Sequence, residues 1–140
     1  MLRQEQTELV IKTRGPNLYE FTYDLENWLL QIQASVGQVT LFCRHTSSSL
    51  TIQENADSDV KTDLTNFFKR YVPENEPWYK HTFEGPDDMP AHIKSALTDV
   101  SLTIPVADGR TTLGTWQGVY LFEHRHAPHH RKIVLHYTGE

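Results

Sequence analysis

Ser101-Leu102-Thr103-Ile104-Pro105-Val106, then Asp108-Gly109, then Val119-Tyr120-Leu121-Phe122, then Ile133-Val134-Leu135-His136: the reading of this C-terminal stretch decides the fold. Each run is short, apolar and rich in β-branched or aromatic residues, and so reads as a strand. Asp108-Gly109 is a hairpin signal, because the tight turns that suit twisted strands need positive φ at their centre. Strands that follow one another with no helical stretch between them point to antiparallel pairing. Working back toward the N-terminus, residues 4–13 end in Leu9-Val10-Ile11-Lys12-Thr13 and read as another strand. Gly15-Pro16-Asn17 is a turn, and Leu18 to Thr22 a short strand. Val39 to Cys43 and Leu50 to Gln53 are two more, separated by a serine-rich turn or a bulge in one bent ribbon.

Three segments carry helical spacing instead. Leu25, Trp28, Leu29, Ile32 and Val36 follow Asp24 as the expected cap, with Gly37 as the expected stop. Val60, Leu64, Phe67, Phe68 and Tyr71 form the stripe of an amphipathic helix that starts at Asp57-Ser58-Asp59 and ends at Pro73. Asp87-Asp88 with Pro90 opens a third helix through Leu97, with Ile93 and Leu97 as its expected inner stripe. Between the last two, Pro73 to Pro86 reads as an aromatic-rich loop lying across a surface. The mixture gives an α+β class: one compact domain over residues 1–140, with helices packed on a mainly antiparallel sheet.

At 140 residues the chain is the size of one ordinary domain, and its apolar share of 38% is modest. A mean hydropathy of -0.53 and the lack of a long apolar run exclude a membrane-spanning helix. The formal charge of -5, with Lys and Arg scattered except between Arg125 and Lys132, argues against a nucleic-acid partner. Met1-Leu2-Arg3-Gln4-Glu5 leads into no apolar segment and does not read as a signal peptide. Cys43 is the only cysteine, so no internal disulfide forms, which fits a cytoplasmic protein. Its place in an apolar strand reads as a buried structural thiol.

Three of the eight histidines stand in polar, turn-like settings. His45 opens His45-Thr46-Ser47-Ser48-Ser49; His81 precedes Glu84-Gly85-Pro86-Asp87-Asp88; His92 follows Pro90-Ala91. Imidazole is the commonest protein metal ligand and the usual acid or base near neutral pH. The serine run reads either as an anion cradle behind a metal ligand or as a polar turn that satisfies its own backbone. His81 and His92 lack the close spacing of a zincin helix, so a shared metal is a hypothesis that spacing alone does not establish. Glu54, Asn55 and Asp57 offer groups to orient a ligand or a histidine; Asn55 or Asp57 can instead cap a helix, and for Asp57 capping is the better reading. The dense tract His124-Arg125-His126 and His129-His130-Arg131 reads as a solvated hairpin loop at Ala127-Pro128. In Gly114-Thr115-Trp116-Gln117-Gly118, Gln117 both donates and accepts, as recognition of a heteroaromatic ring requires. No nucleophile elbow, P-loop or dinucleotide fingerprint is present.

Taken together, His45-Thr46-Ser47-Ser48-Ser49-Leu50-Thr51, Glu54-Asn55, Asp57, His81 with Glu84-Gly85, Asp87 through Lys94, Gly114 through Gly118, and Glu123-His124-Arg125 resemble the YjbQ-like proteins, often called secondary thiamine-phosphate synthase enzymes. The resemblance runs through nearly the whole chain in unbroken order. Many members carry Thr-Ser-Ala-Ser where this chain has Thr46-Ser47-Ser48-Ser49. The resemblance implies a homotrimer of compact α+β subunits, and it singles out His45, His81 and His92 as metal ligands. It implies a transferase that joins hydroxymethylpyrimidine diphosphate to thiazole phosphate, giving thiamine phosphate and pyrophosphate. On that reading a divalent metal, zinc or magnesium, neutralises the diphosphate and Ser47 and Ser49 hold its oxygens. Asn55 and Gln117 orient the heterocycle, and Asp88 supports the metal or its histidines. Three imidazoles suit zinc better than magnesium, which prefers oxygen. Two alternatives stand beside it: metal-assisted hydrolysis of an unknown substrate, and a trimeric protein that binds a metal or a phosphorylated metabolite without turnover.

Overall fold

From Arg131 to Gly139 every second residue of the last strand is buried, the alternation expected where one face of a strand meets a core. This strand, β8 (Pro128–Gly139), lies inside its sheet between β1 (Arg3–Arg14) and β3 (Gly37–Cys43), antiparallel to both. β5 (Ser101–Ala107) and the short β6 (Arg110–Thr111) complete a five-stranded sheet in the order β1-β8-β3-β5-β6. A second sheet of three strands has β7 (Gln117–Glu123) at its centre, between β2 (Asn17–Glu20) and β4 (Ser48–Glu54). The computed structural model describes every residue from Met1 to Glu140.

The two sheets share one core. Val39, Leu41, Ile133, Leu135 and Tyr137 of the larger sheet meet Leu50, Val119 and Leu121 of the smaller one. The helix α1 (Thr22–Gln31) adds Leu25, Trp28 and Leu29 to the same cluster. Each fully buried Leu or Ile here contributes roughly 1.5–3 kcal/mol relative to exposure. On the other face of the small sheet, Leu18, Tyr120 and Phe122 pack under Leu64 and Phe68 of α2 (Ser58–Tyr71). The α+β class and the antiparallel pairing are as expected. The division into two sheets was not: β3 and β4 belong to different sheets, and the serine run joins them rather than bending one ribbon.

Boundaries were read well where local chemistry sets them. Asp57 caps α2 by accepting from the Asp59 N–H at 2.9 Å. Asp108 and Gly109 take φ of 54° and 77° and form the β5–β6 turn. Two expectations fail. Asp24 lies within the first turn of α1, and the cap position, Phe21, makes no side-chain cap bond. The helix stops at Gln31, where Gln33 turns left-handed at φ 55°, and Gly37 is a strand residue. A Cβ on Gly37 would run into the Thr138 carbonyl and Gly139, so its lack of side chain allows close strand approach. In α3 (Asp88–Leu97) the buried residues are Asp88, Pro90 and Ala91, whereas Leu97 is exposed. That helix packs through its N-terminal half, because its first turn serves a polar cluster.

Candidate metal centre

The N-terminal turn of α3 is set by Gly85 at φ 108°, a conformation that favours glycine. It brings the chain round so that the Asp88 N–H meets the Gly85 carbonyl at 3.3 Å. Asp88 and His92 are one helical turn apart and therefore share a face. His81 and Glu84 reach the same point from the loop before the turn. Asp88 Oδ2 lies 2.7 Å from His81 Nε2 and 3.0 Å from His92 Nε2, and Glu84 Oε2 lies 3.1 Å from His81 Nε2. One ligand atom from each of His81, Glu84, Asp88 and His92 lies within 4.8 Å of all the others.

The Asp88 side chain is only 3% exposed, whereas that of His81 is 43% exposed, so the cluster has a buried base and an open mouth. Arg125 fixes the base: Nη1 donates to Asp88 Oδ1 at 2.7 Å, Nε to Asp87 Oδ2 at 3.0 Å, and Nη2 to the Glu84 carbonyl at 2.8 Å. Burial alone would push the Asp88 carboxyl up. The hydrogen bond from His81, with further help from Glu84, His92 and Arg125, holds it below the usual carboxylate range. The reverse holds at His81, whose imidazole is raised by its hydrogen bond to Asp88. His92 is oriented at its other nitrogen, where Nδ1 donates to the Thr46 carbonyl at 2.8 Å and leaves Nε2 for the cluster.

Two imidazoles and two carboxylates on a preformed turn fit a divalent cation, and zinc or another transition metal better than magnesium. A cation held here would use the same side-chain atoms that now face one another in hydrogen bonds.

His81 and His92 are thus brought together, joined by Asp88. His45 is not among the four. Its Nε2 accepts from the Lys132 N–H at 2.8 Å, and burial beside Arg131 lowers its basicity. His45 and His92 do line a common groove of about 370 Å³ with Thr46, Ser48, Ser49 and Thr98. Ser47 Oγ accepts from Arg131 Nη2 at 3.0 Å. Ser49 Oγ is buried between His124 Nε2, at 2.9 Å, and the Thr98 hydroxyl, at 2.6 Å. Asn55 and Gln117 stand at the opposite end of the small sheet. There Glu54 pairs with Gln117, whereas Ser48 at the near end pairs with Glu123. The seven residues of β4 make six steps from end to end, about 20 Å at 3.3 Å per step.

The histidine tract departs from the solvated-loop reading. His130 is exposed, and His126 reaches Glu74 at 2.7 Å, but His124 is 2% exposed and its pKa is lowered to about 3 by burial. Arg131 is buried against Glu123 at 2.5 Å. Cys43 is buried as expected, and burial raises its thiol pKa. Sequence reasoning gave Glu84 no ligand role and missed Arg125. The spacing of Asp88 and His92 by one helical turn was the available signal for a carboxylate ligand.

Residues 7–140 match the family described as "UPF0047 protein YjbQ-like". The chain belongs to this family. It is 52% identical to UPF0047 protein sll1880 of Synechocystis over 138 residues, covering 99% of this chain and 94% of that one. It is 43% identical to UPF0047 protein YjbQ of Escherichia coli O157:H7 over the full length of both. Among solved structures, the uncharacterized conserved YjbQ/UPF0047 protein of Clostridium acetobutylicum superposes with a TM-score of 0.86 at 33% identity, over 94% of this chain and 98% of that one. The conserved hypothetical protein TT1486 of Thermus thermophilus gives 0.83 at 34%, over 92% and 97%.

Proposed function

We propose that this YjbQ-like chain is a metal-dependent enzyme acting on phosphorylated small molecules, specifically a secondary thiamine-phosphate synthase. The observation that carries the metal-dependent part is the His81–Glu84–Asp88–His92 cluster, with its buried carboxylate base and open mouth. The synthase part is supported by the motifs shared with that family. A divalent ion held by the four side chains would supply charge neutralisation for a departing pyrophosphate. The chain's own residues do the positioning. Arg125 fixes Asp88, and Asp88 fixes both imidazoles. The adjoining groove offers His45 and the Thr46 hydroxyl to diphosphate oxygens, and Ser49 stiffens its wall through Thr98 and His124. Ser47 acts from behind, where it holds the Arg131 guanidinium.

In a homotrimer, Asn55 and Gln117 of one subunit would complete the site of the next, which is how they would reach a heterocycle seated at a cluster beyond the other end of β4 in their own chain. The test is thiamine phosphate formation by metal-defined protein beside His45→Ala, His81→Ala and His92→Ala. Product from the parent and none from the folded His81 and His92 variants is expected; equal traces in all four samples would overturn the synthase reading. Mixing His92→Ala with Gln117→Ala subunits should restore part of the activity if the site is shared. The open mouth also favours a second reading, metal-assisted hydrolysis, which phosphate or ester release without C–N bond formation would identify.

A further inference from the structure

On the side of α3 away from the metal cluster lies a cavity of about 700 Å³, walled by α2, α3 and the end of β7. Lys94 faces it and His92 does not. Two residues apart on a helix, they point about 200° apart, one to each side. Lys69 enters from α2. Neither ammonium makes a hydrogen bond or an ion pair with any group of the chain. The carboxylates that border the cavity are already engaged: Glu74 by His126 at 2.7 Å and Glu123 by Arg131 at 2.5 Å. The floor is aromatic, with Phe68 and Phe122 edge to face at 5.3 Å between ring centroids.

A third polar group points the same way. His124 Nε2 shares a hydrogen bond with Ser49 Oγ at 2.9 Å, which leaves its other ring nitrogen, Nδ1. Nδ1 has no partner in the chain. The sole enclosed side-chain atom lacking a partner is Thr111 Oγ1, so Nδ1 opens onto the cavity that His124 lines. The cavity therefore presents two lysines without a hydrogen-bond or ion-pair partner, and one ring nitrogen of His124, above an aromatic floor. A phosphate dianion matches the donors, and a small apolar or aromatic body matches the floor.

We propose that this cavity is a second ligand site, distinct from the metal cluster, which takes a phosphate monoester with a small aromatic or apolar body. The proposal does not depend on the metal-dependent reading, because no member of that cluster lines the cavity.

The test titrates metal-stripped protein, in the presence of a chelator, with phenyl phosphate and with inorganic phosphate, followed by calorimetry and by amide chemical shifts. Saturable binding is expected for both, tighter for phenyl phosphate, with shifts around Asn66, Lys94 and His124. Lys94→Met should weaken phenyl phosphate about tenfold or more, as expected for loss of one charge-assisted contact. Lys94→Arg should retain most of the affinity, and Lys80→Met, which removes an exposed lysine elsewhere, should bind like the parent. Three results would overturn the site: no saturation in the millimolar range, undiminished binding by folded Lys94→Met, or an equal loss in Lys80→Met. Binding that appears only when metal is restored would assign the anion to the cluster and overturn it as well.

Discussion

Asp88 holds two imidazoles with one oxygen and a guanidinium with the other, so it carries both charge and geometry. Asp88→Asn keeps the shape but loses the anion and aims an amide at one of its partners. Zinc affinity, measured by competition with a chelating dye, should fall by at least about 10–100-fold, the range seen when even an orienting partner of a metal ligand is lost. His124 offers a pH test of burial. Its pKa is about 3 in the fold against 6.5 as the ordinary value, so below pH 6.5 the unfolded chain takes up a proton that the fold refuses. Stability from this group is complete above 6.5 and is lost as pH falls, at about 1 kcal/mol per pH unit. Urea midpoints measured between pH 6.5 and about 5, above the ordinary carboxylate range, should drop less steeply for His124→Gln than for the parent. Matching slopes would mean that His124 is not kept neutral. None of this was visible in the sequence, where His124 looked like one member of a histidine-rich loop. Its burial depends on Ser49, 75 positions away.

At the level of elements, what was readable was whatever is decided within a few residues. The Asp57 cap is a contact to the N–H two positions on, and Asp57→Ala should cost about 1 kcal/mol, checked by denaturant unfolding. The β5–β6 turn is decided by the freedom of Gly109. A Cβ there would stand 2.9 Å from the Ala34 carbonyl and force an L residue into a left-handed φ. Gly109→Ala should therefore destabilise by about 1–2 kcal/mol, more than the same change in an open turn. The failures have the same logic reversed. Asp24 resembled a cap locally, but the Phe21 N–H is taken by the Val119 carbonyl and its carbonyl receives the Leu25 N–H, so the helix begins earlier. The expected inner face of α3 followed apolar spacing. The metal cluster and Arg125 pull Asp88 inward instead, at 2% exposure, and leave Leu97 outside.

Across the molecule, the two-sheet arrangement could not be read because its decisive pairings are distant: Arg3 meets Gly139, and Asn17 meets Glu123. Between the sheets sits a buried ion pair. Glu123 accepts from Arg131 and from Thr13, and so links β7, β8 and β1. Arg131→Met would strand an anion whose side chain is 0% exposed, so a loss of about 3–5 kcal/mol is expected in thermal or chemical unfolding. A second substitution, Glu123→Gln, should recover part of that loss, because it removes the stranded charge.

The position of β8 inside the larger sheet also bears on synthesis. β1 leaves the ribosome early but has no neighbour in its sheet other than β8, whose residues are translated more than a hundred codons later. Until then the nascent chain carries an unpaired edge along Arg3–Arg14, with Leu9 and Ile11 that belong against the core. A ribosome stalled before codon 128 would therefore display a sticky, half-built sheet. Cellular handling of this protein should depend on holding the early strand apart from other chains until translation has passed that point.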